Sequence, residues 1–160
     1  MNETSNHAFA SHAASPLTLF FRAYETNTAS GDTAALVAQF ADPFMAAGPT
    51  GVQCLYATDF AAALPRRREL FAGLGAKPAK LVFCRENRLD ARYVMAETRW
   101  QLTFVRDADS AAEVFADSLF IVDTAGDSAK IVFYLAHQDL LATLRDQGIL
   151  PAGSAKAPTV

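Results

Sequence analysis

Residues 15–42, SPLTLFFRAYETNTASGDTAALVAQFAD, decide how this chain reads. Ser15 followed by Pro16 is a helix start: a hydroxyl cap, then a residue whose fixed φ suits the first helical position, where a backbone N–H would have no partner anyway. Leu17, Phe20, Phe21 and Tyr24 recur at i, i+3, i+4 and i+7, so they share one face of a helix that runs to about Ala29. Ser30-Gly31-Asp32 closes that helix and caps a second one, on which Leu36, Val37 and Phe40 form a stripe and which Asp42-Pro43 is expected to stop.

Beyond Pro43 the pattern changes. Phe44 to Ala47 and Val52 to Tyr56 are short apolar runs on either side of Gly48-Pro49-Thr50-Gly51, which suits a hairpin. Thr58 or Asp59 caps a third helical region, where Pro65 predicts a break near Leu64 and a fresh start. After Gly73 to Pro78 the period becomes two, and four strands follow: Lys80 to Leu89, Arg92 to Val105, Glu113 to Val122 and Ala129 to Ala136. Asp90-Ala91 is a tight turn, Arg106 to Ala112 a longer polar loop, and Asp123 to Asp127 a glycine-bearing turn. A last short helix spans Asp139 to Gln147. Helices first and antiparallel strands afterwards give an α+β class, a curved, cone-shaped antiparallel sheet with helices packed on its concave face. Residues 1–14 and 151–160 are small, polar and aperiodic and read as disordered tails around one domain, 15–150.

Composition narrows the function classes. The chain has 160 residues, 51% hydrophobic with twelve Phe, too apolar for a disordered polymer, yet no apolar run approaches the ~20 residues of a membrane span. A net charge of -3 argues against nucleic acid or an anionic membrane as partner, because both need a basic surface. Arg66-Arg67-Arg68 is the one basic run, and consecutive helical residues spread over different faces, so it reads as solvated. Cys54 and Cys84 lie in apolar segments and read as buried thiols, and the N-terminus lacks the pattern of a signal peptide, which together place the protein in the cytoplasm. The nucleotide-loop, nucleophile-elbow, zincin and CxxC patterns do not occur, and His137 has no second ligand at metal spacing, so neither a cofactor nor a metal is expected.

The element order, with the spacing of Tyr24, Gly31-Asp32 and Phe40-Ala41-Asp42, resembles the nuclear transport factor 2-like superfamily of cystatin-like fold, which includes the SnoaL-like cyclases and the ketosteroid isomerases. The resemblance spans about residues 15 to 140. It implies that Tyr24 stands where the isomerases hold a phenol that donates to a developing enolate oxygen. Their general-base Asp, followed by proline, falls on Gly48 of Gly48-Pro49, so the base is missing. Asp117 lies on the strand that bears their second, protonated acid. The Arg-x-Asp pattern of epoxide hydrolases in the same superfamily is broken at Arg99-Trp100-Gln101.

The residues themselves leave two readings open for Asp117. Alone among apolar neighbours in Val114 to Val122, its carboxyl either faces the cone with a raised pKa or sits on the outer sheet face paired with an arginine. Tyr24, Asp117 and His137 are the catalytic candidates, and Phe20, Phe44, Phe60 and Trp100 the ligand-binding ones. Glu97 and Arg99 share the strand face opposite Trp100 and point outward. A cone lined by Phe, Tyr, Trp and Leu with few titratable groups suits binding of an apolar small molecule, the reading adopted here. A SnoaL-like or isomerase-like enzyme moving a proton on a cyclic carbonyl compound, and a non-catalytic dimerisation module, are the alternatives. Strands rich in Val, Leu, Ile and Phe on both faces predict a homodimer through the outer face.

Overall fold

The computed structural model describes residues 15–153; residues 1–14 and 154–160, with His7, His12 and most of both segments read as tails, lie outside them. Helix α1 (Pro16–Ser30) starts where the Ser15 hydroxyl accepts the Thr18 N–H at 3.2 Å and ends at Gly31, whose φ of 72° is the left-handed conformation that terminates helices. Asp32 then caps α2 (Thr33–Val37) by accepting from Ala35 N at 2.9 Å. This helix is shorter than expected. Phe40 begins strand β1 (Phe40–Gly48), which continues through Asp42-Pro43 instead of stopping there. Burying Phe40 and pairing it with Ile131 outweigh the helical spacing of Leu36, Val37 and Phe40.

Strand β2 (Gly51–Leu55) makes the hairpin with β1. Helix α3 (Ala57–Gly73) then runs unbroken through Pro65, against the predicted break. Proline deletes one backbone hydrogen bond and disfavours a helix interior by ~3 kcal/mol, but here Phe60, Leu64, Leu70 and Phe71 all pack on the core and keep the helix continuous. Its N-terminus starts at Tyr56 without a side-chain cap, so neither Thr58 nor Asp59 does the expected capping. The turn after it is pinned to the sheet, with Val105 N donating to Gly75 O at 2.9 Å. Gly75 has φ +77°, and a Cβ there would stand 2.2 Å from the Val105 carbonyl oxygen, so both conformation and space require glycine.

Strands β3 (Lys80–Arg88), β4 (Tyr93–Asp107), β5 (Ser110–Asp123) and β6 (Lys130–Ala136) follow, and α4 (Leu140–Asp146) is capped by Asp139. The expected loop from 106 to 112 is instead a tight turn at Ala108-Asp109, because both strands extend to Asp107 and Ser110 and pair to the end. The six strands lie in the order β2-β1-β6-β5-β4-β3, all neighbours antiparallel except β1 and β6, which run parallel and make the sheet mixed. Cys54 on β2 and Cys84 on β3 are therefore at opposite edges and free; Cys54 is exposed, not buried, because edge β2 has no neighbour on its outer side.

One face of this sheet carries the core. Phe21, Phe44, Phe104, Phe120, Val122 and Ile131 are almost wholly buried between it and the helices. A polar clip joins α1 to the α2–β1 junction: Asn27 donates to buried Gln39 at 3.0 Å, and Gln39 donates to the Phe20 carbonyl at 3.1 Å. No helix among the described residues is long and apolar enough to cross a membrane.

Candidate functional site

Period-two alternation on β4 and β5 decides which side chains can reach the concave face. Ala96, Thr98, Trp100 and Leu102 on β4 stand beside Ala116, Ser118 and Phe120 on β5, while Glu97, Arg99 and Gln101 point the other way with Glu113 and Asp117. Above the concave face, α1 and α3 leave a partly open cavity of ≈ 790 Å³. Its walls include Tyr24 of α1, Phe40 of β1, Phe60, Leu64 and Phe71 of α3, Trp100, Phe120 and Tyr134 of the sheet, and the β1–β2 turn.

The aromatic rings form a connected floor. Phe120 lies 6.0 Å from Tyr24 and 5.1 Å from Tyr134 between ring centroids, so the two phenols flank one ring. Trp100 stands 5.5 Å from Tyr24, and its indole N–H donates to Thr98 Oγ1 at 3.0 Å. Burial pushes the Tyr24 phenol well above its ordinary pKa; the nearby Tyr134 adds to the rise and the positive charge of Arg67 opposes it. Tyr24 therefore stays protonated, with an O–H to donate.

The sequence candidates divide. Tyr24, Phe60 and Trp100 line the cavity together. Phe44 does not: it is buried beneath Phe40 and Phe60, at 4.5 and 5.2 Å, and serves the core. Phe20 packs edge-on against Phe21 at 5.2 Å and is outside the lining too. Asp117 borders the cavity, but its carboxylate is on the outer face, gripped by Arg99 Nε at 2.7 Å and by the second guanidinium nitrogen at 2.9 Å. That bidentate hydrogen bond holds its pKa below the usual carboxylate range, the reverse of the raised value expected for an inward acid. Of the two open readings, the outer-face one is correct, and Asp117 is not the isomerases' protonated acid. His137 is exposed just past β6 and is not part of the lining.

Of the arginines read as solvated, Arg67 is half-buried and Arg68 is exposed, and both border the cavity. Arg67 lines the cavity with its guanidinium 4.8 Å over the Phe71 ring. Arg68 spans from α3 to the α1–α2 turn, donating to Gly31 O at 3.0 Å and Thr33 Oγ1 at 3.1 Å. The spacing of Phe60, Leu64, Arg67, Arg68 and Phe71 at helical intervals could have placed them on the inner face, had α3 been read as continuous through Pro65. Among the described residues no group of three His, Cys, Asp or Glu is placed to hold a metal ion.

No protein-family model matches the sequence, and no curated protein matches it significantly. Solved structures do match. A protein from Novosphingobium aromaticivorans described as nuclear transport factor 2-like with a cystatin-like fold superposes with a TM-score of 0.62 at 14% identity, covering 84% of this chain and 85% of that one. The fold is nuclear transport factor 2-like. The β subunit of a Burkholderia mallei benzoate 1,2-dioxygenase also superposes on this chain, at TM-score 0.60 and 12% identity, over 76% of this chain and 87% of that one. So does a ketosteroid isomerase-like protein from Erwinia carotovora atroseptica, at 0.55 and 15%, over 74% and 90%. Enzyme subunits and proteins of unknown function thus carry the same nuclear transport factor 2-like frame, so function has to be argued from the cavity.

Proposed function

We propose that this chain binds an apolar small molecule in the cavity beneath α1 and α3, without covalent chemistry. The observation that carries this reading is the aromatic enclosure itself: ≈ 790 Å³ bounded by Tyr24, Phe40, Phe60, Phe71, Trp100, Phe120 and Tyr134. That size falls within the ~300–1,000 Å³ of ordinary ligand pockets. Proton abstraction needs a free base within reach of the substrate, and each acid on the wall is engaged. Glu25 is paired with Arg22 at 2.8 Å, Asp117 with Arg99, and Asp139 accepts the Ala142 N–H at 3.0 Å. Gly48, where the isomerases carry their base, lines the cavity without a side chain. The test is native mass spectrometry of freshly purified protein, together with emission from Trp100, the single tryptophan, during titration with a fluorescence-silent hydrophobe such as decalin. A retained small molecule or a saturable emission change supports binding; a mass equal to the bare chain and a flat titration reject it.

We infer in addition that two copies pair through the outer sheet face in the cytoplasm. Phe83, Val105 and Phe115 are exposed there and Leu119, Ile121, Phe133 and Leu135 half-exposed, an apolar sheet surface that no helix among the described residues covers. A molar mass by light scattering equal to one chain at micromolar concentration would sink this pairing.

A further inference from the structure

Resting on the binding reading, we propose that the cavity takes an uncharged ring compound bearing a hydrogen-bond-accepting oxygen, and that the buried Ser118 hydroxyl and the side-chain amide of Gln138 hold that oxygen at the β5–β6 end of the chamber.

Thr98 of β4 and Ser118 of β5 stand directly opposite each other and turn to the inner face of the sheet. Both are buried, at 3% and 5% exposed. Thr98 is spent: its hydroxyl accepts the Trp100 indole N–H at 3.0 Å and donates to the Ser118 carbonyl at 3.4 Å. The Ser118 hydroxyl, by contrast, makes no hydrogen bond to any other described residue. Among the described residues every side-chain oxygen or nitrogen sealed from solvent has a partner, so the Ser118 oxygen is not sealed; it opens onto the cavity that the residue lines. Buried polar groups are nearly always satisfied, and this one needs a partner from outside the chain, either water or a ligand oxygen that displaces it.

Gln138 supplies a second donor. Its Oε1 accepts the Asp117 N–H at 3.0 Å, one residue from Ser118, where the β5–β6 ladder ends at the Ser118 and Ala136 pair. Only the oxygen of an amide accepts from N–H, so this bond fixes the orientation of the group and leaves the two N–H donors of Nε2 unspent on any described residue. Gln138 lines the same cavity as Ser118.

Room and charge at this end suit a neutral acceptor. Ala116 shares the inner face with Ser118, Ala136 stands across from it, and Gly48 lies against Ala136, so small residues leave space where the rest of the chamber is walled by rings. A carbonyl oxygen has two lone pairs and takes the Ser118 O–H and a Gln138 N–H together. Both donors are uncharged, and the acids Asp117 and Asp139 border the same end, which disfavours an anion there.

Titration of the full chain with decalin and with 2-decalone, one ring frame without and with a carbonyl, followed by Trp100 emission, tests this. A chamber with no polar subsite favours decalin, because moving the carbonyl out of water goes uncompensated. The two donors should reverse that order and make 2-decalone bind about fivefold or more tightly. Ser118→Ala should erase the preference and leave decalin affinity within about twofold, with an unchanged or higher melting temperature, since no hydrogen bond within the chain is lost. Ser118→Thr, which keeps the hydroxyl, should retain the preference. Gln138→Glu, which keeps an oxygen for Asp117 N but removes the N–H donors, should lose it. Decalin binding as tightly as 2-decalone, or a preference that survives Ser118→Ala, would overturn the subsite and leave the binding reading standing. A flat response to both compounds would reject that reading and the subsite with it.

Discussion

The two faces of strands β4 and β5 treat charge in opposite ways. On the outer face every charge finds a neighbour across the strands: Arg85 with Glu97, Arg99 with Asp117, and Arg92 with Asp123 at 2.6 Å. On the inner face the strands offer only Thr98, Ser118 and Trp100 as polar groups, and positive charge arrives from α3 instead. The outer pairs are close enough to satisfy each other and have nothing left for a ligand. The inner groups stand among aromatic rings instead of in cross-strand ion pairs. An acidic residue in an apolar strand is thus a poor guide to a site, and its cross-strand partner decides its role.

The largest effect on this contrast should come from its shared floor. Phe120→Ala removes a ring that is 1% exposed and supports both phenols, and should destabilise the protein by ~3–5 kcal/mol in urea unfolding. A loss under ~1 kcal/mol would mean the floor collapses freely and that the cavity is not rigidly held.

A second break concerns the outer face. Phe115→Glu puts a charge at a residue 48% exposed, so the isolated fold should tolerate it with an unchanged circular dichroism spectrum. The proposed dimer should give way to single chains in light scattering. A persistent dimer would move the interface elsewhere.

Gly48→Asp sharpens the contrast from the inner side. A Cβ at Gly48 would meet Ala136 O at 3.7 Å and Ala136 Cβ at 3.9 Å, ordinary contacts, so the variant should fold. Its new carboxylate puts a charge on the apolar wall and should weaken the saturable Trp100 response to decalin about tenfold. An unchanged response would place the bound molecule away from the β1–β2 turn.

Smaller still is the outer pair. Arg99 depresses the pKa of Asp117, so the stabilisation is present above the unfolded carboxyl value of roughly 3.9 and fades as pH falls through the lower folded one. Asp117→Asn should flatten the loss of melting temperature below about pH 4 and change decalin binding little. Loss of probe binding at neutral pH in this variant would put Asp117 back in the site. The two thiols provide the mildest check. Burial raises Cys84 to about 11, with Glu86 adding to the rise, so iodoacetamide at pH 8 should alkylate exposed Cys54 first. Equal rates would contradict the half-buried setting of Cys84.

Asp117 also shows how much of the site could be read beforehand. On β4 the alternation is plain, because Glu97 and Arg99 contrast with Ala96, Thr98 and Trp100, and their outward direction follows from sequence alone. On β5 both faces are mostly apolar, so Asp117 has no pattern to fix its side. Placing it opposite Arg99 requires the tight turn at Ala108-Asp109, and a polar stretch from 106 to 112 reads equally well as a loop. Register, set by that turn, carried the answer.

By itself the sequence determined the α+β class, the order of elements, the Ser15 and Asp32 caps and the inward faces of α1 and β4, because these depend on contacts a few residues apart, between neighbours that the chain itself places. Only tertiary structure decided that α3 passes through Pro65, that β1 begins at Phe40 and lies parallel to β6, that Asp117 turns outward to Arg99, and that Arg67 lines the same cavity as Tyr24 and Tyr134. Each of these follows from burial or pairing between residues far apart in the chain, and such energies exceed the local preferences that a sequence displays.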